Sequence, residues 1–314
     1  MRNPVRMSAC AFWLNTICME VSLTIPAQKG PLAGKRIMVC GKGGSGKSTL
    51  VALLARSLLK KAYEVLVLDG DASNPEGLVR LMFGYGVEDE PRPLVEFFGG
   101  LDVVTCPVDD PSPLTRSGDV RPVPQNRIAV GSEVPSEYYL GNDSMRLFQV
   151  GKIQTYGQGC DGPLEKVVRD FMVTGDAVNL IDIKAGVEHF GRKVPEHIDV
   201  ILGVIDCTRE SISIAKRMDQ FCQNIGVDQF HLILNKVASD DLEAVLREQL
   251  GALANKVIGV VHHDQAMMET ALSGNALGDC SALHEVQRIL DRLEEKMAIK
   301  PALTTEKPGL SVAR

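Results

Sequence analysis

Gly41-Lys42-Gly43-Gly44-Ser45-Gly46-Lys47-Ser48-Thr49 lies between an apolar run that reads as a buried strand, Arg36-Ile37-Met38-Val39-Cys40, and one that reads as a helix, Leu50-Val51-Ala52-Leu53-Leu54-Ala55. A glycine-rich loop in that position, ending in Gly-Lys-Ser, is a phosphate-binding loop. Its glycines let successive backbone N–H groups turn inward around a polyphosphate, and the helix that follows aims its positive end at the same point. The nine residues Gly41 to Thr49 are therefore expected to hold the phosphates of a nucleoside triphosphate. Lys47 reaches the outer phosphates and the Ser48 hydroxyl ligates Mg²⁺.

Outward from the loop, apolar runs at 64–69, 177–182, 200–205, 231–235 and 256–261 read as further buried strands, with a weaker candidate at 101–105. Helical periodicity at 164–172, 211–225, 242–250 and 282–297 falls between or after them. Strand–helix–strand crossovers imply parallel pairing. The expected fold is α/β, a single doubly wound, mostly parallel sheet with helices on both faces, of the P-loop NTPase type. The expected organisation is an N-terminal extension over 1–34, one ATPase domain over 35–297 and a tail over 298–314. Residues 106–142, rich in Pro, Asp, Ser and Gly, read as an irregular insertion near the active face. In the closing helix, Leu283, Val286, Leu290, Leu293 and Met297 form one stripe that packs on the core or a partner.

A net charge of −6 over 314 residues argues against a broad nucleic-acid footprint. Eight widely spread cysteines beside such a loop indicate reduced thiols and a cytoplasmic setting. Near the N-terminus, Ala9-Cys10-Ala11-Phe12-Trp13-Leu14 is broken by Asn15 and Glu20, too short a run to span a bilayer, so no membrane insertion is expected.

Lys42, a second lysine early in the loop, narrows the reading. With it the chain resembles the deviant phosphate-loop ATPases of the MinD/ParA and nitrogenase iron-protein group. The resemblance implies an ATP-dependent homodimer in which Lys42 crosses the interface and stabilises charge on the phosphoryl group of the partner's nucleotide, as an arginine finger does. It also implies that Asp71, in Asp69-Gly70-Asp71-Ala72-Ser73-Asn74, positions the attacking water while Asp69 supports that loop. Asp182-Ile183-Lys184-Ala185-Gly186 resembles the second switch, with Asp182 holding Mg²⁺ through its water and the Gly186 N–H approaching the γ-phosphate. Asn235 resembles the residue that reads the adenine edge. The catalytic set implied is Lys42, Lys47 and Asp71.

Two further runs tighten the resemblance: Gly186-Val187-Glu188-His189-Phe190-Gly191-Arg192, and Val150-Gly151-Lys152-Ile153 followed by Gly157-Gln158-Gly159-Cys160. Both are similar to the accessory ATPases that mature the nickel centre of carbon monoxide dehydrogenase, over about residues 35–293. That similarity implies a client metalloenzyme and a Ni²⁺ or Zn²⁺ ion at the dimer interface. The chain departs from the family where it reads Cys160-Asp161-Gly162-Pro163 in place of Cys-x-Cys-Pro. One thiol per subunit remains there, so Asp161, His189 or water would have to complete the shell. Cys10, Cys18, Cys40, Cys106, Cys207, Cys222 and Cys280 show no mutual ligand spacing and read as packing or incidental residues. His262-His263-Asp264 is a weak metal candidate, because neighbours on a strand point to opposite faces. The alternatives are a positioning or regulatory ATPase of the MinD/ParA kind and an electron-donating reductase. The reductase would need a second cluster cysteine where Glu188-His189-Phe190 stands.

Overall fold

A computed structural model describes residues 30–299 except 76, 117, 157 and 158. Among the described residues eight strands form one sheet: β1 (Arg36–Gly41), β2 (Val65–Gly70), β3 (Tyr139–Gly141), β4 (Met145–Gln149), β5 (Val178–Ile183), β6 (Val200–Ile205), β7 (Phe230–Val237) and β8 (Val257–His262). Their order is β3-β4-β2-β5-β1-β6-β7-β8, and every pairing is parallel except the edge pair β3–β4. The longer helices are α1 (Lys47–Lys60), α2 (Gly77–Phe83), α3 (Gly162–Asp170), α4 (Arg209–Ile225), α5 (Asp240–Leu250), α6 (Gln265–Ser273) and α7 (Ser281–Ala298).

Alternation along the strands divides the core into two layers. Ile37 and Val39 of β1, with Val65 and Val67 of β2, face a layer that contains α1, α2 and α7. Met38, Cys40, Leu66 and Leu68 face the other, with α3, α4 and α5. Helix α7 is held by Leu283, Val286, Ile289, Leu290 and Leu293, all buried against α1 and β8. Each such side chain contributes on the order of 1.5–3 kcal/mol of apolar transfer, before chain entropy is counted.

Three boundaries differ from the sequence expectation. Residues 101–105 form turns, with the N–H groups of Val103 and Val104 both donating to Gly100 O. Val103 is 63% exposed, so the apolar pair Val103-Val104 contributes one buried side chain where a strand needs a buried face. The place beside β2 goes instead to β4, whose Arg146 and Gln149 obscure its apolar residues in a one-dimensional reading. A turn at Asn142, whose Oδ1 accepts from the N–H groups of Ser144 and Met145, folds β3 back along it. Finally, Leu32 is fully buried and Gly34 N donates to Asp176 O at 2.8 Å, so packing extends to residues expected in the N-terminal extension. The remainder of that extension, 1–29, and the tail from 300 lie outside the described residues.

The 106–142 stretch is irregular but anchored. Leu114, Val123, Ile128 and Tyr138 enter the core, and Leu114 N donates to Asp170 Oδ2 at 2.7 Å.

Candidate nucleotide and switch site

β1 is central, flanked by β5 and β6, so the loop leaving its carboxyl end opens where ligands of open α/β sheets bind. Gly41 passes so close to β6 that a Cβ there would lie 2.5 Å from Val204 O. Gly46 caps α1 in the left-handed region at φ 94°, and no side chain bonds the first N–H groups of the helix. That combination leaves the amides of the first turn available to an anion.

Two neighbours at the end of β7 hold the loop from behind. Asn235 Nδ2 donates to Ser45 O at 2.7 Å and Lys236 Nζ to Gly44 O at 2.8 Å. Ser45 N donates within the loop to Lys42 O at 3.2 Å, and the bonds from Asn235 and Lys236 pin the loop from the β7 side. Lys236 does this from a left-handed backbone, φ 60°, uncommon for a residue with a side chain. Asn235 is buried with its amide nitrogen spent on Ser45, so in this conformation that group is not presented to a base. Lys47, also buried, donates to Lys42 O at 3.1 Å. Lys42 turns within its own chain to Asp206 at the end of β6, 3.2 Å away.

At the end of β2, Asp69 and Lys152 form a buried pair at 2.9 Å. Asp69 also accepts from the N–H groups of Asp71 and Leu78, and Lys152 donates to Asp71 O at 2.7 Å. Together they fix the backbone that carries Asp71, whose Oδ1 accepts from Ser73 N and Ser73 Oγ. In the sequence Lys152 stands out only as part of the Val150–Ile153 run; its pairing with Asp69 comes from β4, which lies beside β2 and carries no continuous apolar signal.

Asp182 ends β5 level with Asp69, and the two are partners in the β2–β5 register. Burial and the Asp69 charge push its pKa up to about 7, against the opposing pull of the Ser48 hydroxyl and Lys47. Its Oδ1 is buried without a hydrogen-bond partner. A carboxylate oxygen left unpaired beside a second carboxylate and a serine hydroxyl fits a small hard cation, for which oxygen donors are the natural set. Beyond it, Gly186 N donates to Gly41 O at 3.2 Å, tying the second-switch segment to the phosphate loop.

The same segment reaches the start of α3. Lys184 Nζ meets Asp161 Oδ2 at 2.8 Å, and Arg192 meets Asp161 Oδ1 at 2.7 Å and Glu165 Oε1 at 2.9 Å. These cations hold the Asp161 carboxyl below its ordinary range despite burial. Asp161 is thus committed to ion pairs and offers no free oxygen to complete a shell around Cys160. His189 is enclosed in the core: it is 3% exposed and packed 4.7 Å from the Phe190 ring centroid, its Nε2 is buried without a hydrogen-bond partner, and burial beside Lys47 and Arg192 drives its pKa down to about 3. It stands as a neutral core histidine. Cys160 itself is exposed. Cys106, which shows no ligand spacing in the sequence, has its sulfur beside Gly162, two residues from Cys160.

His262, His263 and Asp264 diverge. His262 pairs with Glu285, His263 lies 3.0 Å from Met268 Sδ, and Asp264 caps α6. His262 does approach Asp240 and Glu243, an exposed group whose Glu243 is paired with Arg247.

The fold and loop define a phosphate-loop nucleotide-binding protein of the doubly wound class. The family model for the CobQ/CobB/MinD/ParA nucleotide binding domain matches residues 37–277, and the chain belongs to that family, which places it among the P-loop ATPases of the MinD/ParA type. An uncharacterized ATP-binding protein of Methanocaldococcus jannaschii is 33% identical over 82% of this chain and 100% of its own length. The carbon monoxide dehydrogenase accessory protein CooC of Rhodospirillum rubrum is 26% identical over 65% of this chain and 75% of its own. In fold, the septum site-determining protein MinD of Pyrococcus horikoshii, complexed with Mg-ADP, matches with a TM-score of 0.57, covering 86% of this chain and 99% of that one at 14% identity. No helix among the described residues is long and apolar enough to cross a membrane.

Proposed function

We propose that this protein is a Mg-ATP-hydrolysing switch that works as a homodimer and assists assembly of a metal centre, nickel in the first instance, in a partner enzyme such as carbon monoxide dehydrogenase. The observation that carries the reading is the unbroken set of contacts from Gly41 through Gly186 and Lys184 to Asp161, which joins a phosphate loop to an exposed cysteine. Similarity to CooC supports the class of client.

In this reading the amides of Gly43 to Thr49 cradle the phosphates and Lys47 exchanges the Lys42 carbonyl for a phosphate oxygen. Ser48 and Asp182 would hold Mg²⁺, which when bound neutralises charge on the phosphates. Asp71, on a backbone fixed by Asp69 and Lys152, orients the attacking water, and Gly186 reports the γ-phosphate through the segment that also carries Lys184. Lys42 leaves Asp206 to act in the partner's site. The metal ion is cargo, carried at Cys160 near the interface.

Replacing Lys47 with Ala should abolish nucleotide binding or turnover while the fold survives, and Asp71→Asn should keep ATP but lose turnover by about 10²–10⁴-fold. Isothermal titration and phosphate release check both. Normal hydrolysis by Lys47→Ala would remove the nucleotide assignment; unchanged turnover in Asp71→Asn would show that another group orients the water.

A further inference from the structure

We propose that Cys106 and Cys160 form a two-thiolate site for a soft divalent cation, built over the α-carbon of Gly162. This rests on the reading of Cys160 as the metal-carrying residue and supplies the second ligand that the sequence alone does not show.

The geometry is specific. A Cβ placed on Gly162 would lie 2.5 Å from Cys106 Sγ and 3.4 Å from Cys160 Sγ. Both sulfurs therefore stand over one α-carbon, and they can be no farther apart than those two distances laid end to end. Thiolate–zinc bonds are about 2.3 Å long, so one ion can bridge sulfurs up to about 4.6 Å apart, a separation within that limit and open to adjustment by rotation of the exposed Cys160 side chain. Any residue other than glycine at 162 would fill the space that the Cys106 sulfur occupies.

Cys106 is also held there. Its carbonyl accepts from the N–H groups of Asp109 and Asp110, closing a tight turn. Lys166 of α3, its side chain 4% exposed, donates to Thr105 Oγ1, Asp110 O and Asp110 Oδ2, clamping both sides of that turn to the helix that begins at Gly162. Arg169 adds a bond to Ser112 O at 3.1 Å. The turn is thus fastened to the same helix that Cys160 precedes, and little ordering is left for the ion to impose. Cys106 is half-buried and Cys160 exposed, so the pair is open to solvent on one side.

Thiolates select soft or borderline ions such as Zn²⁺ and Ni²⁺ over Mg²⁺ and Ca²⁺, which keeps this site chemically distinct from Ser48 and Asp182. Binding deprotonates each thiol, and the protons pass to the buffer. No electron transfer is involved.

The test is titration of the full-length, reduced protein with Zn²⁺ against a chromophoric chelator, with Co²⁺ as a spectroscopic stand-in whose thiolate charge-transfer band reports sulfur ligation. Cys106→Ser and Cys160→Ser should each weaken Zn²⁺ binding by more than about 100-fold, beyond what loss of a supporting outer-shell group costs. Each should also diminish the Co²⁺ band, with unchanged thermal unfolding of the metal-free protein as the fold control. Gly162→Ala, which crowds the Cys106 sulfur, should weaken binding with both thiols still present. If Cys160→Ser loses the ion while Cys106→Ser keeps wild-type affinity and spectrum, the thiol pair is refuted and Cys160 alone carries metal. If both variants bind as wild type, metal carriage at Cys160 fails as well.

Discussion

The phosphate loop and the Cys106–Gly162–Cys160 corner lie at opposite ends of one chain of contacts, yet they are assembled in different ways. The loop is a contiguous run whose nine residues announce its chemistry in order. The thiol corner joins a turn in the irregular insertion to the start of α3, and nothing in the spacing of Cys106 and Cys160 foretells their meeting. Their supports differ in kind too. The loop is braced through its backbone, by Asn235 and Lys236 on two of its carbonyls. The corner is braced by side-chain ion pairs, Lys166 with Asp110 and Lys184 with Asp161. A site that binds with its backbone needs its carbonyls held; one that binds with side chains needs the surrounding turns pinned.

Three experiments probe that division. The largest effect is expected from Lys42→Ala. If Lys42 acts on the partner's nucleotide, turnover should fall by about 10³-fold, as when an arginine finger is withheld, with nucleotide affinity nearly unchanged. An equal loss of affinity and turnover would make Lys42 an ordinary phosphate ligand of its own chain. Next is Lys152→Ala, which leaves Asp69 as a buried charge without its cation. It should cost about 3–5 kcal/mol in chemical denaturation. A loss below about 1 kcal/mol would mean that Asp69 is held by backbone N–H groups alone. The third, the dimer measurement below, bears on whether the two regions respond to nucleotide together.

Most of the sheet was legible because β1, β2, β6 and β8 hold unbroken apolar runs of four residues or more, and β5 and β7 are mainly apolar with single polar residues such as Asn179 and His231 among them. β4 was not, since Arg146 and Gln149 interrupt it and its identity as a strand comes from pairing with β2. The apolar Val103-Val104 pair misled for the complementary reason: local composition favoured a strand, but the neighbouring chain turns at Gly100. At the site, the loop residues could be read from order alone. Asp206, Lys152 and Cys106 could not, because each gains its partner only when distant strand ends and loops converge.

The central claim, a nucleotide switch completed by a second copy of the chain, is tested most directly by light scattering of the wild-type protein with Mg²⁺ and a non-hydrolysable ATP analogue. The account predicts that the analogue doubles the solution mass, that ADP does not, and that the shift disappears in Lys47→Ala. A particle that binds the analogue to saturation and keeps the mass of one chain would contradict it.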